Sequence, residues 1–248
     1  MTVALDGRFG NRANADGSRP GYIRPKDAAT ILILDRSLSG IRVLMGRRAA
    51  KDAFMPAAYV FPGGRVDAED GLAEAAGELD PVIETRLLDR MRPKPSRRRA
   101  RALALCAIRE TAEETGILLG RGGRDHEKPV TGDWQVFREA RVVPDLSGLR
   151  LLARAITPPG RVRRFDSRFF VTFADAIALA PQATLGSGEL EDIVWPTLAE
   201  ADGLDLPRIT RAVIADLVAR LDSDPTLAPE GPATFYRPAG DGFVREAI

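Results

Sequence analysis

The chain has 248 residues, 44% of them hydrophobic, with 36 Lys+Arg set against 35 Asp+Glu. That apolar share supports a buried core, and a net charge of +1 excludes a protein built as a whole around a polyanion, so no nucleic-acid partner is expected. One cysteine, Cys106, excludes an intrachain disulfide, one histidine, His126, argues against a Cys/His zinc site, and no apolar run approaches the ~20 residues of a membrane span.

Residues 1–21 hold little apolar material and no signal-peptide core, so they read as a flexible leader, and a cytoplasmic enzyme is the expected setting. The runs 28–34 (AATILIL) and 42–45 (RVLM) flank the turn-like DRSLSG and predict a β-hairpin. A third strand is predicted at 58–61, stopped by Pro62-Gly63-Gly64. Two short helical patterns, 71–79 and 81–91, precede a Pro-rich break; they predict a helical excursion outside the core fold over 71–95. A long helix follows, with Ser96 as N-cap and Gly116 just past its end. A helix-like segment is predicted at 134–140, strands at 149–156, 168–173 and 193–195, and helices at 198–201 and 208–221, the last opened by Pro207. Residues 225–248 read as a C-terminal tail with at most one strand, at 234–237. The interleaving predicts an α+β or α/β sandwich forming one domain over 22–224.

The informative segment is 109–117, RETAEETGI. Glu110, Glu113 and Glu114 lie at i, i+3 and i+4, on one helical face, where like charges repel by about a few tenths of a kcal/mol per pair. They also lie at the helix C-terminus, where the macrodipole disfavours negative charge. Two rules of helix design are broken together, as happens at functional sites, and a hard divalent cation such as Mg²⁺ or Mn²⁺ resolves both conflicts. The alternative is a solvated Glu-rich face. Arg109 can orient one carboxylate, and Cys106 reads as a small core residue. The basic run Arg97–Arg99 with Arg101 reads chiefly as a solvated face, with a phosphate contact as the alternative. Trp195 is expected in the core, and His126 in a polar loop without a role.

These residues resemble the second half of the Nudix box, Gx5Ex7REUxEExGU with U aliphatic. Arg109, Glu110, Glu113, Glu114, Gly116 and Ile117 match; Thr111 stands in an aliphatic slot. Gly64 and Asp70 fit the first half, with Asp for Glu and Glu69 as the off-by-one alternative. The spacing departs: 38 residues separate Asp70 from Arg109, so about 31 are inserted, and 71–100 is expected to be a helical insertion within the box. The approach Phe54-Met55-Pro56…Val60-Phe61-Pro62-Gly63-Gly64, the segment 158–170 and the segment 188–195 are similar to peroxisomal-type coenzyme A diphosphatases.

The resemblance implies the Nudix fold, an α/β/α sandwich around a mixed β-sheet. It implies hydrolysis of a diphosphate bond in a small-molecule nucleoside-diphosphate derivative, with coenzyme A or an acyl-coenzyme A as one substrate. A nucleotide sugar, a dinucleotide, or a non-catalytic binding module is the alternative, and a homodimer is compatible. One to three Mg²⁺ ions are implied on Glu110, Glu113 and Glu114, with the Gly64 carbonyl as a further ligand. Arg109 is expected to orient Glu110 or pair with Asp70. The general base is left open between Glu110 and an outside carboxylate, Glu189, Glu191 or Asp192, and Glu114 is counted with Glu110 and Arg109 among the catalytic residues. Arg163 and Arg164 are the candidate substrate contacts.

Overall fold

The computed structural model describes residues 23–38, 40–49, 57–127, 131–161, 163–181, 189–239 and 242–248. The leader, the Phe54-Met55-Pro56 approach and Gly188 lie outside the described residues. In chain order the elements are β1 (Lys26–Ser37), β2 (Gly40–Val43), β3 (Met45–Arg48), β4 (Tyr59–Val60), β5 (Gly63–Arg65), α1 (Pro81–Leu88), α2 (Arg97–Thr115), β6 (Leu118–Leu119) and β7 (Arg121–Gly122). There follow α3 (Gln135–Glu139), β8 (Val142–Val143), β9 (Arg150–Ile156), β10 (Phe165–Phe173), β11 (Ile177–Leu179), β12 (Leu190–Val194), α4 (Leu198–Ala201), α5 (Arg208–Ser223), β13 (Thr234–Ala239) and β14 (Gly242–Ala247).

The main sheet runs β14-β13-β9-β10-β1-β2, with β5 also paired to β1. It is mixed: β1 lies parallel to β10 and β13 parallel to β9, while β9–β10, β1–β2 and β1–β5 are antiparallel. The apolar run of β1 is continuous because both faces are covered. Ile31 and Ile33 enter a core shared with α1 and α2; Leu32 and Leu34 enter a second core, closed by Val213, Ile214, Leu217 and Leu221 of α5. This is the α/β/α sandwich around a mixed sheet that the sequence implied. Among the described residues no helix is long and apolar enough to cross a membrane.

Most predicted elements are present, with three corrections. The run 42–45 is divided between two sheets: β2 continues the hairpin, and β3 joins β12 and β4 in a small three-stranded sheet. Residues 71–79 are turns, not helix. Gly77 makes an isolated bridge to Asp145, and Asp80 restarts the chain by capping α1 through the Val82 N–H. Nor does this segment lie outside the core: Leu79, Ile83, Leu87 and Met91, spaced four apart, are buried in the α2-side cluster. Finally, 225–248 supplies two strands of the main sheet, β13 and β14.

The basic run at the start of α2 fastens the inserted segment. Arg97 pairs with Glu84, Arg101 with Glu78 and the Ala73 carbonyl, and Arg99 with Asp27 of β1. Arg97 keeps the solvated character expected of the run, whereas Arg99 and Arg101 are largely covered by their partners. Arg86 of α1 adds bonds to the carbonyls of Pro229, Glu230 and Gly231.

Candidate active site

Helix α2 is set at both ends by local chemistry. Ser96 accepts from the Arg99 N–H at its start, and Gly116, at φ +72°, closes its end by donating to the Ala112 carbonyl. From Ala100 onward the helix is largely buried, and the departure at Thr111 is harmless because its buried hydroxyl donates to the Ala107 carbonyl. The last turn and a half carries Glu110, Glu113 and Glu114 towards β5.

The Pro62-Gly63-Gly64 corner brings bare backbone against those carboxylates. The Gly63 N–H donates to Glu114 Oε2 at 2.8 Å. A Cβ on Gly64 would stand 2.5 Å from the Glu110 carboxylate, and one on Gly63 (φ +156°) 2.4 Å from the Ala29 carbonyl oxygen. Glycine is required at both positions for the strand and helix to approach this closely. Cys106 is buried one turn before Glu110, its sulfur 3.6 Å from the Gly64 carbonyl oxygen, and burial pushes its thiol well up.

Arg109 is the hub. Its Nε donates to Asp70 Oδ1 at 2.7 Å and its Nη2 to Asp70 Oδ2 at 3.2 Å. Nη1 holds Glu113 at 2.7 Å, and Nη2 also lies 3.0 Å from Glu110 and donates to the Arg65 carbonyl at 3.1 Å. Asp70 has no exposed surface, whereas Glu69 is exposed, so of the two it is Asp70 that is buried against Arg109. The Arg109 guanidinium is thereby directed at groups inside the protein.

Burial pushes the Glu110 carboxyl up to about 7; Arg109 opposes this and Glu113 adds to it. Burial raises Glu114 well above the usual carboxylate range, against the Gly63 N–H and with Glu110 and Glu189 adding to it. Glu113 is also raised, by burial first, while Arg109 opposes and Asp133 and Asp70 add. Among the described residues no three acidic, histidine or cysteine side chains form a closed cage for a metal ion. The donor set nonetheless suits a hard cation: two desolvated carboxylates one turn apart, a third at the rim, and main-chain oxygen beside them. Neutralising that desolvated charge is what a divalent cation does.

Of the carboxylates outside the box, Glu189 raises Glu114 through its charge. Glu191 and Asp192 lie beside Arg47, at 3.8 and 3.6 Å, and Asp192 also accepts from the Tyr59 hydroxyl. Arg164 departs from the expected substrate contact: it is buried, and its guanidinium donates to the carbonyls of Thr157 and Ile23. Arg163 is exposed in the same loop. Trp195 packs against the α2-side core as expected. His126 is less exposed than its polar surroundings implied, with Nε2 2.8 Å from the Val142 carbonyl oxygen. Sequence reading missed Asp133, which follows Gly132 in a turn and whose charge reaches Glu113. Nothing in its spacing from the box pointed to it.

Residues 25–204 match the family described as the NUDT19 Nudix domain. The chain is 28% identical over 208 residues to a chicken (Gallus gallus) protein named acyl-coenzyme A diphosphatase NUDT19, covering 64% of this chain and 54% of that protein. The human protein of the same name is 28% identical over 198 residues, covering 61% of this chain and 52% of its own length. The chain thus spans about half the length of these curated relatives. A NUDIX hydrolase from Alicyclobacillus acidocaldarius superposes with a TM-score of 0.58 at 28% identity, over 80% of this chain and 93% of that one. The box residues converge on one corner, the fold is shared with a solved NUDIX hydrolase, and the family match covers well over half of the sequence: the chain belongs to the NUDT19 Nudix domain family.

Proposed function

We propose that the chain is a Mg²⁺-dependent (or Mn²⁺-dependent) hydrolase of the diphosphate bond in coenzyme A or an acyl-coenzyme A. The observation that carries this reading is the convergence of Glu110 and Glu114 on the Gly63-Gly64 corner, with Arg109 and Asp70 locked behind them. The names of the chicken and human relatives support the substrate class.

Glu110, Glu113, Glu114 and the Gly64 carbonyl hold the metal in this reading. A bound divalent cation supplies charge neutralisation of the diphosphate and alignment of the attacking water. Arg109 fixes the rotamers of Glu110 and Glu113 from behind, so the ligands are positioned before substrate arrives. Glu189, immediately before β12 and within charge-interaction range of Glu114, accepts the proton of the attacking water. The water oxygen bonds to one phosphorus, the bridging P–O bond breaks, and the departing phosphate keeps its electron pair. The products are 3′,5′-ADP and a 4′-phosphopantetheine, acylated or not.

The test is product identification by mass spectrometry from coenzyme A, acyl-coenzyme A, a nucleotide sugar and a dinucleotide, each with Mg²⁺ and with EDTA. Metal-dependent release of 3′,5′-ADP is expected. Cleavage of the other diphosphates alone would overturn the substrate class, and no cleavage of any would overturn the hydrolase reading.

A further inference from the structure

A diphosphate carries negative charge on its non-bridging oxygens, and the site described so far offers it no guanidinium. Arg109 is buried, with its donors directed at Asp70, Glu110, Glu113 and the Arg65 carbonyl. Beyond the metal, a guanidinium for the substrate has to come from another element.

Strand β3 places one beside the carboxylates. Side chains alternate across a strand, so residues 46 and 48 share a face and residue 47 stands on the other. The face of 46 is known from its neighbours: a Cβ on Gly46 would meet Leu190 and Ile193 at 2.8 and 2.9 Å, and Ile193 packs on the α2-side core. Arg48 therefore shares the face that looks towards α2, while Arg47 looks the other way, to Glu191, Asp192 and Tyr59. The backbone around Arg48 is pinned on both sides. Its N–H donates to the Ala58 carbonyl at 2.9 Å, it pairs in register with Leu190, and the next N–H, of Ala49, donates to the Glu189 carbonyl at 3.1 Å. These bonds tie the end of β3 both to the strand leading into Gly63-Gly64 and to the residue read as the base. Arg48 also lies within charge-interaction range of Glu114.

We propose that Arg48 is a substrate-binding residue that donates to the non-bridging oxygens of the diphosphate. The inference deepens the diphosphate-hydrolase reading and rests on it. A planar guanidinium matches two phosphate oxygens at once, and a lysine at the same place supplies charge without the fork.

The experiment compares wild type, Arg48→Gln, Arg48→Lys and the opposite-face control Arg47→Gln. Steady-state kinetics with coenzyme A are paired with calorimetric binding of α,β-methylene-ADP, a diphosphate whose bridge cannot be hydrolysed, in Mg²⁺. Arg48→Gln is expected to raise KM and weaken analogue binding by about tenfold or more. Arg48→Lys should recover part of that loss, and Arg47→Gln should stay within about twofold of wild type. If Arg48→Gln does not fold, a several-fold weakening in Arg48→Lys carries the same conclusion, and unchanged binding there overturns it. A fall in kcat with unchanged KM and analogue affinity overturns the proposal, because it shows that Arg48 only positions Glu114 or Glu189. Should wild type cleave no diphosphate, the functional reading fails, and the analogue titrations alone decide the role of Arg48; no binding by wild type overturns it.

Discussion

Asp70 and Arg109 are 39 positions apart in sequence and form a bidentate ion pair with almost no exposed surface on either side chain. The insertion within the box therefore lengthens the chain between the two residues without separating them in space. Breaking such a pair from one side leaves a buried uncompensated charge. Asp70→Asn is expected to lower unfolding stability by about 3–5 kcal/mol, measured by urea denaturation. It should also lower kcat, since Arg109 would lose the partner that aims it at Glu110 and Glu113. Wild-type stability in Asp70→Asn would show that the pair is dispensable.

Glu114→Gln tests the metal role directly. The isosteric amide keeps the packing and can still accept from the Gly63 N–H, but carries no charge for a cation. The fold should persist by circular dichroism while kcat falls more than about tenfold at limiting Mg²⁺, the loss of one ligand charge being worth at least 1.4 kcal/mol. Wild-type turnover under those conditions would remove Glu114 from the ligand set.

The raised carboxyls give the metal-free protein a definite pH dependence. Unfolded glutamates ionise near pH ~4.3, whereas Glu110 holds its proton up to about 7 and Glu114 is raised well above its usual range. Between those limits the folded state binds more protons than the unfolded state, so stability falls as pH rises. Asp166 shifts the other way, held down against burial by Arg154 and Arg168; its stabilisation is complete above the unfolded aspartate pKa near ~3.9 and constant across this window. In EDTA the Tm is expected to drop between pH 5 and 8, with Glu110 alone contributing up to about 3 kcal/mol. Mg²⁺ should flatten the slope, and Glu110→Gln should remove part of it. A slope equal in Glu110→Gln and wild type would refute the assignment.

Leu79, Ile83, Leu87 and Met91 show how the insertion was misread. Their i, i+4 spacing was visible, but the Pro-rich break after them suggested an excursion, and nothing local says which core an amphipathic turn will enter. The same limit applies to the C-terminus, where β13 and β14 find partners only through pairing with β9, some 80 residues earlier. The box helix was legible because its information is local: Ser96 caps it, Gly116 ends it, and three glutamates share a face. Arg97, Arg99 and Arg101 were legible as charges but not as clasps, because Glu84, Asp27 and Glu78 come from two other segments. If the insertion is core, Leu87→Ala should cost about 2–5 kcal/mol; an excursion would lose well under that on truncation.

The 3′-phosphate of coenzyme A offers the sharpest check on substrate recognition. Sequence reading offered Arg97–Arg101 and Arg163-Arg164 as its partners. Arg97, Arg99 and Arg101 are engaged with Glu84, Asp27 and Glu78, and Arg164 with main-chain carbonyls, which leaves the exposed Arg98 and Arg163; Arg163, in the loop before β10, is the one proposed to meet the 3′-phosphate. An exposed contact is screened by water and salt, so its contribution is about 1 kcal/mol or less. Coenzyme A is therefore expected to exceed 3′-dephospho-coenzyme A in kcat/KM by about fivefold or less, and Arg163→Ala should bring the two together. The preference should shrink further as ionic strength rises. A ratio above about a hundredfold that survives Arg163→Ala would mean that a different, desolvated cation reads the 3′-phosphate.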